Sequence, residues 1–309
     1  MWLTCAFLSA LLLGFYDASK KCALRRYAVI PVLFLNTLLC SLIFLVPLLL
    51  SRAGVLLPDS MYYVPATSWE VQRYVLLKSV IVLSSWMCGY YGMKHLPLTI
   101  VGPINATRPV LVLLGALLIF GERLNGWQWL GVLLAIVSFY MLSRSGQREG
   151  IDFRHNRWIL CVLAAAVLGA LSGLYDKFLM ASPAQGGVGL NRMAVQSYYN
   201  FYQCLMMGAV WLFHRESQMS RSCRMDAALW AIPLISLFLS AADFIYFYAL
   251  SLDGALVSVV SMVRRSSVVV SFLLGAALFR ERNLRSKTLD LALVLLSLLF
   301  LWIGTNINS

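Results

Sequence analysis

The sequence predicts an all-α polytopic membrane protein: ten transmembrane helices in two inverted five-helix repeats. Three observations lead there. The 309 residues are 61% hydrophobic and only 12% charged, with mean hydropathy +0.79, whereas a soluble domain carries about 25% charged residues. The charges gather in short stretches between apolar runs of about 20 residues, long enough to cross a hydrocarbon core as helices. The chain also repeats itself at a constant offset of 159 residues. Gly14-Phe15-Tyr16-Asp17 returns as Gly173-Leu174-Tyr175-Asp176, Leu98-Thr99-Ile100-Val101 as Val257-Ser258-Val259-Val260, and Gly121-Glu122-Arg123 as Arg280-Glu281-Arg282, with no gap. Finally, each half reads as five spans. Five is odd, so the second half enters the membrane with opposite orientation, the pattern of a transporter whose site lies between its halves.

The first repeat, residues 1–142, contains spans Trp2–Ser19, Val29–Leu50, Val71–Met93, Leu96–Phe120 and Gly126–Leu142. The first span opens the chain with no Lys or Arg ahead of it and no small-residue cleavage site behind it, so it reads as a retained helix rather than a signal peptide. It carries Ala10 and Gly14, which return as Gly169 and Gly173 in the sixth span, a spacing that lets helix backbones approach closely in lipid. The second span holds Asn36, a candidate for a polar path. The loop Ser51–Glu70 has Pro and Gly breakers and several aromatics, and suits an interfacial segment. In the third span, Lys78 is expected to snorkel towards the membrane surface, and Trp86, Tyr90 and Tyr91 read as interface belt or packing. The fourth span carries Asn105-Ala106-Thr107-Arg108-Pro109 near its middle. Pro109 removes a backbone hydrogen bond and frees a carbonyl there. Short polar turns with Glu122 and Glu281 follow the fourth and ninth spans.

A polar linker, residues 143–157, joins the halves. The second repeat, residues 158–309, contains spans Trp158–Met180, Leu190–Phe213, Ala228–Leu250, Ala255–Phe279 and Thr288–Gly304. In the seventh span Gln196, Asn200 and Gln203 share one face at i, i+4, i+7, which suits either a cavity wall or a hydrogen-bonded helix seam. Asp243 lies inside the eighth span, in the aromatic stretch Phe244-Ile245-Tyr246-Phe247-Tyr248. Arg264-Arg265-Ser266-Ser267 lies near the middle of the ninth. The offset pairs Asn105 with Arg264 and Thr107 with Ser266, so the fourth and ninth spans are equivalent and both carry a polar cluster at mid-depth.

An ionisable group within a span costs about 2.5–3.5 kcal/mol on insertion scales, so it faces a cavity or a partner. Arg108, Arg264 and Arg265 exceed the clear mid-depth carboxylates, which favours an anion-binding site over a structural ion pair with Asp243. Asn105, Gln196 and Asn200 complete the expected substrate-binding set. Asp243, Asp17 and Asp176 are the candidates for a coupling group. Against this stands plain charge balance: Asp17 with Lys20 or Lys21, and Asp176 with the adjacent Lys177.

Other classes find no support. The net charge of +12 belongs to Lys and Arg flanking spans, where anionic lipid and topology explain it, so nucleic acid is excluded as a partner. Seven Cys are scattered without a CxxC pair and there are three His, so no metal site or disulfide framework is expected. No catalytic motif is present, so the chain is not expected to be an enzyme or to need a cofactor.

The pattern of a long span with mid-helix polar residues, a Gly-Ala-rich end, and then a Phe-x-Glu-Arg-type turn occurs at Phe120–Arg123 and again at Phe279–Arg282. This resembles the EamA-type domain of the drug/metabolite transporter superfamily, present twice and covering nearly the whole chain. The resemblance implies a ten-helix bundle around a central cavity, alternating access, and export of amino acids, metabolites or drugs. It also implies both termini inside. Most Lys and Arg, however, lie in the loops that this orientation would place outside, whereas the positive-inside rule puts those loops in the cytoplasm and both termini outside. The expectation is a secondary-active exporter of a small anionic or zwitterionic metabolite. It would sit as a multi-pass protein in a bacterial inner membrane, with the lipid bilayer and a small-molecule substrate as partners, as monomer or homodimer. The alternative is a flippase for a lipid-linked or phosphorylated headgroup.

Overall fold

The structure is a computed structural model. It describes the backbone of residues 2–120, 125–147, 155–180, 183, 186–213, 227–250, 252, 257–279 and 284–307. Expectations for Glu122, Arg123, Glu281 and Arg282, and for linker residues 148–154, lie outside the described residues, as does the side chain of Lys177.

Long apolar runs become helices because a backbone in lipid must satisfy its own polar groups. Twelve helical segments occur among the described residues: α1 (Trp2–Leu24), α2 (Val29–Arg52), α3 (Trp69–His95), α4 (Leu98–Ala106), α5 (Arg108–Phe120), α6 (Gly126–Gln147), α7 (Arg157–Met180), α8 (Arg192–Phe213), α9 (Ala227–Leu250), α10 (Val257–Arg265), α11 (Ser267–Phe279) and α12 (Leu284–Ile307). There is no strand among those residues. The helices outrun several expected ends. α1 continues through Lys20 and Lys21, which therefore lie inside the helix. α6 runs to Gln147, so the start of the expected linker is helical.

The fourth and ninth spans are not continuous. Each breaks after nine residues, at Thr107 and at Ser266, and resumes for thirteen. These two positions are repeat mates. In both, the hydroxyl donates to the carbonyl three residues back: Thr107 Oγ1 to Ile104 O and Ser266 Oγ to Val263 O, each 2.7 Å. A hydroxyl that binds the preceding turn competes with the helical ladder and bends it. Pro109 follows the first break within the opening turn of α5, where a missing N–H costs nothing. Val268 occupies the equivalent position in the second half, so Pro109 is not shared by the two breaks; the hydroxyl bond is shared, although Thr37 makes the same bond to Phe34 O inside unbroken α2.

Among the described residues five helices are long and apolar enough to cross a membrane: α1, α2, α3, α7 and the Trp230–Ala249 part of α9. Three shorter apolar stretches, Leu98–Val112, Gly126–Met141 and Thr288–Gly304, accompany them. The chain is an integral membrane protein. α8 is a helix of 22 residues whose buried face carries Gln196, Asn200 and Gln203.

Helices pack in matched pairs. α1 packs on α9, and its repeat mate α7 packs on α3, the mate of α9. α2 packs on α9 as α8 packs on α3, and α1 meets α10 and α11 as α7 meets α4 and α5. The pairs α2–α8 and α6–α12 each join a helix to its own mate. At the first of these, Ser41 Oγ donates to Asn200 O at 2.9 Å. At the second, Ser138 Oγ donates to Asp290 O at 2.9 Å and Ser297 Oγ to Gly131 O at 2.7 Å, two bonds that exchange under the repeat offset.

The largest buried cluster gathers Tyr16, Leu24, Leu33, Tyr90, Met93 and Ile104 with their neighbours from α1–α4, α7, α8 and α9. α3 stops at Leu96 because Pro97 forces the preceding residue into extended geometry, here φ −115°, ψ 153°. Lys21 Nζ donates to Met93 O and Leu96 O, at 2.6 and 2.5 Å, and so caps that helix end. Of the small-residue pairs, Gly14 is a close approach: an added Cβ would lie 2.3 Å from Val270 Cβ on α11. Gly173 has open space around it, so the expected symmetric packing fails there. Surfaces away from the core are apolar, as lipid requires; Leu205, Leu212 and Phe213 on α8 and Leu133, Ile136 and Val137 on α6 are exposed.

The Ser51–Glu70 loop forms no helix between Ala53 and Ser68. It folds back on the protein instead. Val64 is fully buried against Phe44 and Met193, and Tyr62 stacks on Phe244 with ring centroids 5.3 Å apart. Val55 and Leu57, by contrast, stay exposed at 65% and 68%, so the loop also keeps apolar side chains on its surface.

Candidate functional site

Charged side chains from six helices meet where α1, α9 and the two broken helices pack. α1 supplies Tyr16, Asp17 and Lys20 on successive turns. Lys20 Nζ donates to Asp17 Oδ1 at 3.0 Å and sits over the rings of Tyr16 and Tyr90, 4.3 and 5.1 Å from their centroids. Asp17 Oδ2 also accepts from Ser271 Oγ of α11 at 3.1 Å. Of the two expected partners for Asp17, Lys20 is the one it pairs with; Lys21 points instead to the end of α3.

Asp243 on α9 is buried and forms an ion pair with Arg264 of α10. Its second oxygen accepts from the hydroxyl of Tyr199 at 3.1 Å. The Arg264 guanidinium also lies over the Tyr246 ring, 4.3 Å from its centroid. Lys78 corrects the sequence expectation: it is 3% exposed and ion-paired with Asp176 of α7. A snorkelling lysine needs a route to water, and here the carboxylate of a neighbouring helix meets the ammonium first. Lys78 Nζ also stands 5.2 Å from the centroid of Tyr199, so Tyr199 touches both the Lys78–Asp176 and the Asp243–Arg264 pair.

Arg108 and Arg265 remain. Arg108 lies just past the first break. Its Nη2 donates to Asn105 Oδ1 at 3.0 Å, a neutral partner, and its Nε has no hydrogen-bond partner among the described residues. Its guanidinium lies against the bare backbone of Gly169 on α7, where an added Cβ would come within 2.6 Å of Cζ. Arg265 closes α10 at the second break. Neither arginine has a carboxylate within ion-pair distance among the described residues. The helices that carry Arg108 and Arg265 meet close by, where Val110 of α5 and Met262 of α10 pack in one apolar cluster.

The structure therefore gathers Asn105, Arg108, Arg264, Arg265, Asp17 and Asp243 around the two breaks. Asp176 joins them through Lys78 and Tyr199. Gln196 and Asn200 are buried on α8, where Asn200 Nδ2 bonds back to Gln196 O at 2.8 Å and Ser41 binds the Asn200 carbonyl. No contact ties their side chains to the arginines. The Gln196 and Gln203 amides have no hydrogen-bond partner among the described residues. Sequence reasoning missed Tyr199, Ser271 and the role of Lys78. Tyr199 did carry a signal: it stands three residues after Gln196, at the edge of the polar face of α8.

Mid-helix polar breaks, half-buried arginines and an internal repeat are the features against which known proteins bear. Residues 1–144 match the EamA-like transporter family. The chain is also 31% identical over 135 residues to an uncharacterized transporter of Pseudomonas aeruginosa, an alignment covering 42% of this chain and 43% of that protein. The aligned stretch thus spans less than half the length of this curated relative. A solved structure described only as the crystal structure of a protein is 13% identical and covers 99% of both chains with a TM-score of 0.65. The fold beyond the EamA-like half is therefore also one seen before.

Proposed function

We propose that this protein is a secondary-active transporter that exports a small anionic or zwitterionic metabolite by alternating access. The carrying observation is the pair Arg108 and Arg265, two half-buried guanidiniums at equivalent helix breaks without a carboxylate partner among the described residues. An unmet cation at that depth is costly, and an arriving carboxylate or phosphate would offset that cost with charge-assisted, bidentate hydrogen bonds. Broken helices lining a mid-membrane site are the usual means by which a transporter exposes backbone and charge to a solute without exposing them to lipid.

In this reading the two halves, 1–142 and 158–309, are inverted five-helix repeats, and α4–α5 and α10–α11 are each one interrupted span among ten. The matched helix pairs and the exchanged serine bonds of α6 and α12 support a two-fold relation. The EamA-like match and the transporter relative support the activity. A bacterial cytoplasmic membrane is the proposed location, in line with the bacterial source of that relative.

The test is transport by the purified protein in lipid vesicles, screened against a metabolite library. Arg108→Gln and Arg265→Gln should each lower the rate of the transported solute by tenfold or more, on the order of the ~1.5–3 kcal/mol of a charged hydrogen bond, while the protein remains inserted. Wild-type rates in both variants would contradict the reading.

A further inference from the structure

We infer that the solute is a dianion, held by Arg108 and Arg265 together; this rests on the transport reading above and narrows its substrate. The argument is a charge count. Among the described residues the cluster holds five cations, Lys20, Lys78, Arg108, Arg264 and Arg265, and three carboxylates, Asp17, Asp176 and Asp243. Three cations are consumed in pairs: Lys20 with Asp17, Lys78 with Asp176, Arg264 with Asp243. Two positive charges are left, and both are guanidiniums.

The neighbours of these two charges do not lower the surplus. Arg108 binds the amide oxygen of Asn105, which carries a dipole but no charge. Asp17 already serves Lys20 and Ser271. Lys21 is separate: its ammonium is taken up by the carbonyls at the end of α3.

Each candidate solute class changes this balance differently. A monoanion leaves one guanidinium unmet. A zwitterion brings its own ammonium into a field already positive, and nets nothing. A dianion, whether a phosphate monoester or a dicarboxylate, neutralises the cluster. Interactions between charges weaken little inside a low-dielectric site, so the second charge adds nearly as much as the first. The planar fork of arginine also suits the oxygen pairs of carboxylate and phosphate alike. Asn105 offers its amide nitrogen beside them as a neutral donor.

The measurement is equilibrium binding to the purified full-length protein at neutral pH and fixed ionic strength. The probes are succinate and methyl phosphate as dianions, acetate as monoanion, and alanine as zwitterion. Both dianions should bind roughly tenfold or more tighter than acetate and alanine, about the 1.4 kcal/mol that separates tenfold affinities. Arg108→Gln and Arg265→Gln should each remove that preference. Arg108→Lys and Arg265→Lys keep the charge and should keep most of the preference, which separates lost charge from lost fold. Acetate or alanine binding as tightly as both dianions, or a preference that survives both glutamine variants, overturns the inference and leaves transport of another solute open. Dianion preference without movement of any solute in vesicles upholds the charge assignment and sinks the transport reading instead.

Discussion

Asp243 has two partners, and they define what it can do. Arg264 pairs with one oxygen, and Tyr199 donates to the other. Breaking a buried pair from one side leaves the remaining charge uncompensated, at a cost of about 3–5 kcal/mol. If the protein couples solute to proton movement, Asp243→Asn should abolish transport driven by a pH gradient and spare solute-for-solute exchange, which needs no net proton movement. Vesicle assays with and without an imposed gradient distinguish the two. Gradient-driven transport that survives in Asp243→Asn would make Asp243 structural and return the coupling role to Asp17 or Asp176. The sequence shows the three arginines and three aspartates because charge in an apolar run stands out. It does not show their partners. Lys78 and Asp176 are 98 residues apart, and Tyr199 and Asp243 are 44 apart. Such pairings depend on which helices pack together, and no local pattern encodes that.

At the scale of an element, glycine on α7 sets the room available to Arg108. The guanidinium fills the space that a Cβ at Gly169 would occupy, whereas Gly173, one turn on, has open space. Gly169→Ala should push the flexible end of Arg108 out of place. Its thermal stability should change by less than about 1 kcal/mol, since a side-chain tip can move and alanine favours the helix, while transport should fall severalfold. Gly173→Ala should transport as wild type. Equal effects of the two substitutions would separate Gly169 from the site. The helix breaks belong to this scale as well. Hydropathy alone draws the fourth and ninth spans as continuous, because Thr107 and Ser266 are short and their surroundings apolar. The hydrogen bond found at each break is a matter of rotamer and backbone, and composition cannot report it. The repeat offset did pair the two residues. The break recurs without a counterpart of Pro109, so that proline is not what the two breaks share.

Over the whole molecule, the offset of 159 residues is the property that carries furthest from sequence to structure. Helices α4 and α10, and α5 and α11, have the same lengths at that offset, and Ser41 bonds to its own mate Asn200. If the halves are related by the proposed two-fold axis, a residue in contact with its repeat mate lies beside it, and α2 and α8 would meet there. The two halves are not copies in their chemistry. Arg264 faces Asn105, Val268 faces Pro109, and Gly14 is packed where Gly173 is open. The proposed alternating access requires that the two breaks, both half-buried here, become reachable from each side of the membrane in turn. Cysteines placed at Thr107 and Ser266, in a background lacking the seven native cysteines, test this with a membrane-impermeant thiol reagent applied to vesicles of each orientation. Both positions should label from both faces, and a transported anion should slow the labelling. Labelling from neither face, or from one face alone at both positions, would contradict the account.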